Sequence, residues 1–134
     1  MENAIFYPMA VQGALTFSVL LLLLRRRVKA LYAKQMRLSY YRLFPGGEPE
    51  DIAVVQRSFL NQFEIPVLFY MICVMAAVLG KVDMTMLYAA WAYAGLRVLH
   101  AAVHIYNNNV RWRATIFLVS CTVLLFMWIW VGLP

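Results

Sequence analysis

Four long runs of apolar residues, separated by short polar breaks, dominate the pattern of this chain. The four runs cover 4–24, 58–80, 84–106 and 114–134. The first and last runs have no formal charge, the second contains only Glu64, and the third contains only Arg97. About 20 helical residues cross the apolar core of a bilayer. Lipid offers no partners to the backbone, and barrel strands would alternate polar and apolar residues. The pattern therefore predicts an all-α integral membrane protein, a bundle of four transmembrane helices in one domain, 1–134.

Turn signals between the runs set the expected ends of the helices. The first helix is expected to extend beyond the membrane, because Val28 and Leu31 begin a series of apolar residues at helical spacing. The run Pro-Gly-Gly-Glu-Pro at 45–49 is the clearest break, and Pro49 suits a first helical position. Pro66 predicts a kink near Gln62. We expect helices over about 4–44, 49–80, 84–107 and 114–133.

Composition excludes several classes of protein. The 134 residues are 64% apolar and 13% charged, whereas a soluble domain has about 25% charged residues. An ordinary soluble enzyme, a disordered tail and a disulfide scaffold are excluded. The net charge of +6 is confined to the breaks between runs, so no nucleic-acid partner is expected. Cys73 and Cys121 lie inside runs and are expected to be small buried residues, with no metal site.

The distribution of basic residues predicts the orientation in the membrane. The segment 25–57 holds eight Lys or Arg residues, whereas 81–83 holds only Lys81. Arg111 and Arg113 follow the third run. By the positive-inside rule, the first and third connections are cytoplasmic and both termini lie on the other side. No positive charge precedes the first run, which argues against a cleavable signal. The lack of a sorting signal favours a bacterial inner membrane.

Polar residues in and next to the second and third runs are the candidate functional residues, because charges within membrane helices are costly and usually mark function. Arg57, Asn61 and Glu64 fall within about 60° of one another on one helical face. One face of the third helix carries five polar residues at similar spacing: Arg97, His100, His104, Asn108 and Arg111. We expect these two polar faces to meet each other or a neighbouring subunit.

Two interpretations of these residues remain open. Glu64 and Arg97 could form a buried ion pair that only fixes two helices in register. Alternatively, the surplus of positive charge from Arg57, Arg97, Arg111, Arg113 and the 25–27 run could bind a ligand with carboxylates. We favour a ligand site, because the positive-inside rule does not explain why Arg57 shares a face with Asn61 and Glu64.

Other chemistries find little support in the sequence. His100 and His104 are one turn apart on one helix, so they cannot bind opposite faces of one haem iron. Ser18, Ser58 and Thr115 have no Asp-His partners at a readable spacing, so a hydrolase is not predicted. The tryptophans are expected to be anchors at the membrane interface; they are Trp91, Trp112, Trp128 and Trp130.

One stretch of the second run carries a recognisable pattern, Arg57-Ser58-Phe59-Leu60-Asn61-Gln62-Phe63-Glu64-Ile65-Pro66. The pattern is an Arg, an Asn four residues later, a Glu three residues after that, and a Pro close by. It resembles the second-helix signature of the MAPEG family, the membrane-associated proteins in eicosanoid and glutathione metabolism. The chain length, the four helices, the outward termini and the stretch 97–113 are also similar. The resemblance implies a MAPEG-like bundle.

The resemblance also implies a function. Family members are homotrimers that bind glutathione between neighbouring subunits near the cytoplasmic face. They act as transferases, peroxidases or isomerases on lipophilic electrophiles. Arg57, Asn61 and Glu64 would then hold glutathione, with Glu64 at its ammonium and Arg57 at a carboxylate.

The remaining site residues follow from the same resemblance. Arg97 is expected to brace the cluster and His100 to occupy a ligand position, and we include His104 and Arg26 among the binding residues. Arg113 resembles the arginine that stabilises the glutathione thiolate, and Arg111 is the alternative. Nearby positive charge lowers the pKa of a thiol and enriches the nucleophile.

Two other functions remain as alternatives. The first is a small proton-coupled transporter in which Glu64 carries a proton through a dimer. The second is a non-catalytic membrane scaffold that keeps the fold without using the site. The expected partners of the enzyme are the lipid bilayer and a lipophilic small-molecule substrate.

Overall fold

The computed structural model describes residues 1–43 and 46–134, and the described residues form helices and turns without a strand. The helices are α1 Phe6–Tyr32, α2 Tyr40–Leu43, α3 Glu50–Leu60, α4 Ile65–Val78, α5 Met84–Ala102 and α6 Val110–Gly132. A 3₁₀ turn, Glu2–Ile5, precedes α1, and a second, Asn61–Phe63, lies between α3 and α4. A π-helical turn, Val103–Asn107, follows α5.

The long helices pack as a four-helix bundle, in which α3 and α4 together form the second member. Among the described residues, three helical segments are long and apolar enough to cross a membrane: Asn3–Tyr32, Glu50–Val78 and Val110–Gly132. The fourth member, α5, packs against α1 and α6 and carries the buried polar residues Arg97 and His100.

The core of the bundle has two apolar layers. One contains Phe69 and Met127, and the other contains Val19, Leu23 and Val55. Many large apolar side chains remain exposed on the outer surface of the helices. A soluble monomer rarely exposes apolar patches of this extent, so the outer surface is suited to lipid.

The first helix ends at Tyr32, so the predicted extension to 44 is wrong. Lys34 adopts a left-handed conformation, φ 56°. The N–H of Gln35 bonds to the carbonyl of Ala30, and that of Lys34 bonds to the carbonyl of Leu31. These two bonds form a Schellman motif, which stops a helix. Residues 44 and 45, in the predicted helix end and break, lie outside the described residues.

The second predicted helix is broken where a kink was expected. Pro66 has no N–H to donate to the carbonyl of Gln62, and it lies in the first turn of α4. Glu64, at φ −94° and ψ −103°, separates α4 from the 3₁₀ turn before it.

The fourth helix begins at Val110, earlier than the predicted 114. The Asn109 side-chain oxygen accepts hydrogen bonds from the backbone N–H groups of Arg111 and Trp112, at 3.1 and 3.3 Å. Such an N-cap fixes the start of a helix. Both Arg111 and Arg113 therefore lie in the first turns of α6 instead of in a loop.

The end of the bundle where α1 finishes and α3 and α6 begin is called the basic end here, because 25–27, Arg111 and Arg113 lie there. Arg27 bonds to Glu48 at 3.4 Å and to Gln56, and its guanidinium lies 5.1 Å from the centre of the Tyr41 ring. Burial raises the pKa of the Tyr41 phenol, and the charge of Arg27 opposes this shift. These contacts join the ends of α1 and α3.

Candidate functional site

A cavity of about 220 Å³ opens at the junction of three bundle members. The helix break after α3 supplies two lining residues, α5 supplies one, and the start of α6 supplies three. Four of them are residues that the sequence singled out as polar candidates. The lining is Asn61, Glu64, His100, Arg113, Ala114 and Phe117.

Arg97 lies beside this cavity and is 0% exposed. Its Nη2 donates a hydrogen bond of 3.1 Å to the backbone carbonyl of Asn61, and its guanidinium lies 5.9 Å from the centre of the Phe117 ring. Its Nε and Nη1 have no hydrogen-bond partner among the described residues. Arg97 thus contacts the broken segment from within the bundle.

Glu64 and Arg97 do not form the buried ion pair that the sequence left open. Within the residues that the structure describes, Arg27 and Glu48 form the single ion pair within 4.0 Å. Glu64 lies at the break, its side chain is exposed, and it lines the same cavity as Asn61. The structure therefore does not support the interpretation that these two residues form an ion pair that fixes two helices in register.

His100 is oriented by the backbone of α6. Its Nδ1 lies 3.2 Å from the carbonyl oxygen of Arg113. Because a carbonyl oxygen only accepts, Nδ1 carries the proton in this contact and Nε2 is left as an acceptor. Nε2 is buried and has no partner in the described part of the chain. The neighbouring His104 is also buried, with its ring centre 6.0 Å from that of His100, but it does not line the cavity.

Arg113 is the cavity's cation. Its Nη1 donates a 3.0 Å hydrogen bond to the side-chain oxygen of Asn108, which sits in the left-handed region at φ 48°. Arg111 is exposed and does not line the cavity. Of the two arginines that the sequence left open, the geometry places Arg113 where it can act on a bound group.

Two further candidates lie outside the cavity in the single chain. Arg57 is exposed, one turn before Asn61, and its Nε donates to the carbonyl of Ala53 at 3.4 Å. Arg26 donates to the carbonyl of Asp51 at 2.6 Å and lines a separate polar cavity of about 590 Å³ that also includes Asn108. The structure does not bring these two side chains together with Arg113.

Sequence reasoning missed several parts of this arrangement. Phe117 was one of many apolar residues, and nothing in the pattern set it apart. The contact of Asn108 with Arg113 depends on a left-handed residue, although Asn before a helix was a usable signal. A buried hydrogen bond of 2.8 Å from Gln12 to Gln62 joins α1 to the broken segment. Gln12 was a polar residue in the first apolar run and could have been noticed.

The cavity contains side chains that can bind an anion and side chains that can bind a cation. Arg113 suits a negatively charged atom, Glu64 suits an ammonium, and the free Nε2 of His100 suits an N–H donor. Within 1–43 and 46–134, no three His, Cys, Asp or Glu side chains lie together so as to hold a metal ion. The site is therefore suited to a zwitterionic or peptide-like ligand.

The comparison with protein families decides which fold this is. The model of the MAPEG family matches residues 5–133. The chain belongs to the MAPEG family. No curated protein and no solved structure matches the chain. Membership confirms the predicted fold class, a membrane bundle of four helices. It also assigns this MAPEG protein, at the level of the family, a membrane role in glutathione-related transferase or peroxidase chemistry, and members generally use glutathione.

Proposed function

We propose that this MAPEG protein is a membrane-bound, glutathione-dependent transferase or peroxidase that acts on lipophilic electrophiles. The observation that carries the proposal is the convergence of Asn61, Glu64, His100 and Arg113 on one cavity. Each of these residues has a chemical counterpart in glutathione, which carries an ammonium, two carboxylates, two amide N–H groups and a thiol.

Arg113 is proposed to stabilise the thiolate. Glutathione supplies the nucleophilic sulfur, and a free thiol has a pKa near 8.5, so about a few per cent is ionised at neutral pH. A guanidinium stays charged at every working pH. Asn108 holds one of its nitrogens at 3.0 Å, which restricts the side chain before any ligand arrives. Such a fixed positive charge favours the ionised sulfur without further reorganisation.

Three other residues are proposed to position the tripeptide. Glu64 binds the ammonium, Asn61 binds a polar group of the backbone, and His100 accepts an N–H through its unpartnered Nε2. Arg97 is buried and holds the carbonyl of Asn61, so we assign it a positioning role. His104, one turn beyond His100, is proposed to support the His100 ring.

A homotrimer with glutathione between its subunits is proposed as the working form. The cavity of about 220 Å³ in one chain is smaller than the roughly 300–1,000 Å³ of typical ligand sites. Arg57 and Glu64 are exposed on a segment that spans the membrane, where charge against lipid is costly. A neighbouring copy would cover both residues and complete the site, and Arg26, at the basic end, could then contribute from that copy.

The basic end is proposed to face the cytoplasm, with both termini on the opposite side, in a bacterial inner membrane. The clustering of 25–27 with Arg111 and Arg113 at one end of the bundle supports this orientation by the positive-inside rule. The second substrate would then enter from the surrounding lipid, since the outer surface of the helices is apolar.

The test is glutathione binding and conjugation of 1-chloro-2,4-dinitrobenzene by the detergent-purified protein. We expect the parent to bind and to turn over. Arg113→Ala should retain most of the binding and lose about 100-fold in turnover, the usual effect of removing a charge-stabilising donor. Arg111→Ala is the matched control and should resemble the parent. A parent that neither binds glutathione nor conjugates would reject the proposal and favour the scaffold, and proton-coupled uptake that depends on Glu64 would favour the transporter.

A further inference from the structure

A third cavity, which contains two charged side chains, lies at the end of the bundle opposite the basic end. It has a volume of about 360 Å³ and is formed where the α4–α5 loop meets the last turn of α6. It shares no residue with the proposed glutathione site. Its lining is the loop 80–83, Trp130, Leu133 and Pro134.

Lys81 supplies a positive charge to this cavity. Its ammonium donates to the backbone carbonyls of Val131, at 3.0 Å, and Leu133. Since an ammonium has three N–H groups, one donor remains for a ligand. The side chain is half-buried and is held in place by α6.

Asp83 supplies a negative charge on the other side. One carboxylate oxygen accepts from the backbone N–H of Met86 at 2.7 Å, and the other accepts from the Trp130 indole at 3.1 Å. A carboxylate can accept about four hydrogen bonds, so roughly two positions remain. Asp83 and Lys81 do not form an ion pair within 4.0 Å. The cavity therefore presents two separate, opposite and pre-oriented charges.

The cavity lies at the end of the helix bundle, where lipid head groups meet a membrane protein. The loop 79–83 joins two helices of the membrane bundle, and Trp130 has the amphipathic side chain that is enriched at membrane interfaces. The surface next to the cavity is apolar, because Val78, Leu79 and Met84 are all exposed. A polar cavity bordered by exposed apolar surface suits a molecule that has a polar head and apolar tails.

We propose that this cavity binds the head group of a phospholipid with a primary amine, of the phosphatidylethanolamine type. The phosphate accepts from Lys81, the ammonium donates to Asp83, and the acyl chains lie along the apolar surface beside Val78 and Met84. A head group without an amine would place its phosphate near an unpaired carboxylate. A quaternary amine has no N–H to donate to Asp83.

Native mass spectrometry tests the proposal on the full-length protein, released gently from nanodiscs that contain equal amounts of phosphatidylethanolamine, phosphatidylglycerol and phosphatidylcholine. The parent should retain the ethanolamine lipid in preference to the other two by about tenfold, the discrimination expected from one charge-assisted hydrogen bond. Equal retention of the three lipids by the parent would overturn the proposal without any variant.

The variants separate the two charges. Asp83→Asn keeps a good N-cap residue for α5 but removes the negative charge, so the preference over phosphatidylglycerol should disappear. Lys81→Gln should lower retention of all three lipids, because each of them has a phosphate. Lys29→Gln, at the basic end, is the control and should match the parent. A preference that survives Asp83→Asn, or one that is lost equally in Lys29→Gln, contradicts the proposal. Circular dichroism and conjugation of the model electrophile show whether each variant is folded.

Discussion

Asn108 fixes the side chain of Arg113 from a left-handed backbone position, φ 48° and ψ 26°. Glycine adopts this conformation without cost, and Asn and Asp tolerate it better than other residues. We expect Asn108→Gly to preserve the turn but to release the guanidinium. The conjugation rate should fall about tenfold, the effect of one hydrogen bond, with little change in unfolding temperature.

Asn108→Asp is the comparison for this prediction. It retains an oxygen for Arg113 and a residue type that tolerates the backbone, but its negative charge partly offsets that of Arg113, so its rate should lie between those of Asn108→Gly and the parent. Measured rates that are the same in Asn108→Gly and the parent would show that the contact with Asn108 does not position Arg113.

The environment of Arg97 shows what the sequence could and could not provide at the scale of single residues. The apolar run around it predicted correctly that the residue lies inside the bundle. Its partner could not be predicted, because the acceptor is the backbone carbonyl of Asn61, beside a local break in the helix. The sequence pointed instead to Glu64, which has the opposite charge but does not lie within 4.0 Å of Arg97.

At the scale of elements, the break between α3 and α4 positions half of the proposed site. Pro66 interrupts the hydrogen bonding there, and both Asn61 and Glu64 lie within the interruption. Pro66→Ala restores an N–H opposite the carbonyl of Gln62 and favours a continuous helix. We expect glutathione affinity, measured by calorimetry, to fall at least about tenfold (roughly 1.4 kcal/mol), without loss of thermal stability.

Pro8→Ala provides the comparison for this change. Pro8 lies in the first turn of α1, where a backbone N–H has no acceptor within the helix. It should leave glutathione affinity unchanged. If Pro66→Ala binds glutathione as tightly as Pro8→Ala, the break does not shape the site.

The end of α1 gives a prediction about stability. Lys34 stands where helices usually have glycine, and a left-handed conformation costs a non-glycine residue about 1–2 kcal/mol. Lys34→Gly should therefore raise the free energy of unfolding by up to about 1 kcal/mol. Lys29→Gly, inside α1, should lower it by about 1 kcal/mol. Thermal unfolding in detergent would compare the two, and destabilisation by Lys34→Gly would contradict the assigned helix end.

Most elements were predictable because a membrane helix needs a long apolar run, and such runs are unambiguous. The ends were harder to predict. Apolar residues from Val28 to Leu43 continued the helical spacing, but the chain turns at Lys34, and Met36 packs into the core layer with Ile52 and Val55. Tertiary packing and one left-handed residue, which has no marker in the sequence, override the periodicity.

At the scale of the whole molecule, the charges exposed on a segment suited to span a membrane support the proposed assembly. The proposed homotrimer predicts that native mass spectrometry will detect three copies of the 15.5 kDa chain. It also predicts that glutathione binding will disappear in detergents that separate the chains, because the proposed site needs residues from a neighbouring copy. A monomer that binds glutathione with the affinity of the oligomer would contradict this assembly.

Sequence alone supplied the fold of the whole molecule and its family signature, because both depend on local patterns. It could not supply the lipid site proposed at the opposite end. Lys81 and Asp83 looked like ordinary loop residues, and their arrangement depends on contacts with Val131 and Trp130, which are distant in the sequence.

The ionisation of bound glutathione tests the central claim most directly. The ultraviolet absorbance of the thiolate, followed against pH in the complex, gives the pKa of the bound thiol. We expect a value at least about one unit below 8.5 in the parent, equivalent to about 1.4 kcal/mol, and also in Arg111→Ala. In Arg113→Ala the value should return towards 8.5. Equal values in the parent and in Arg113→Ala, with glutathione bound to both, would contradict the role assigned to Arg113.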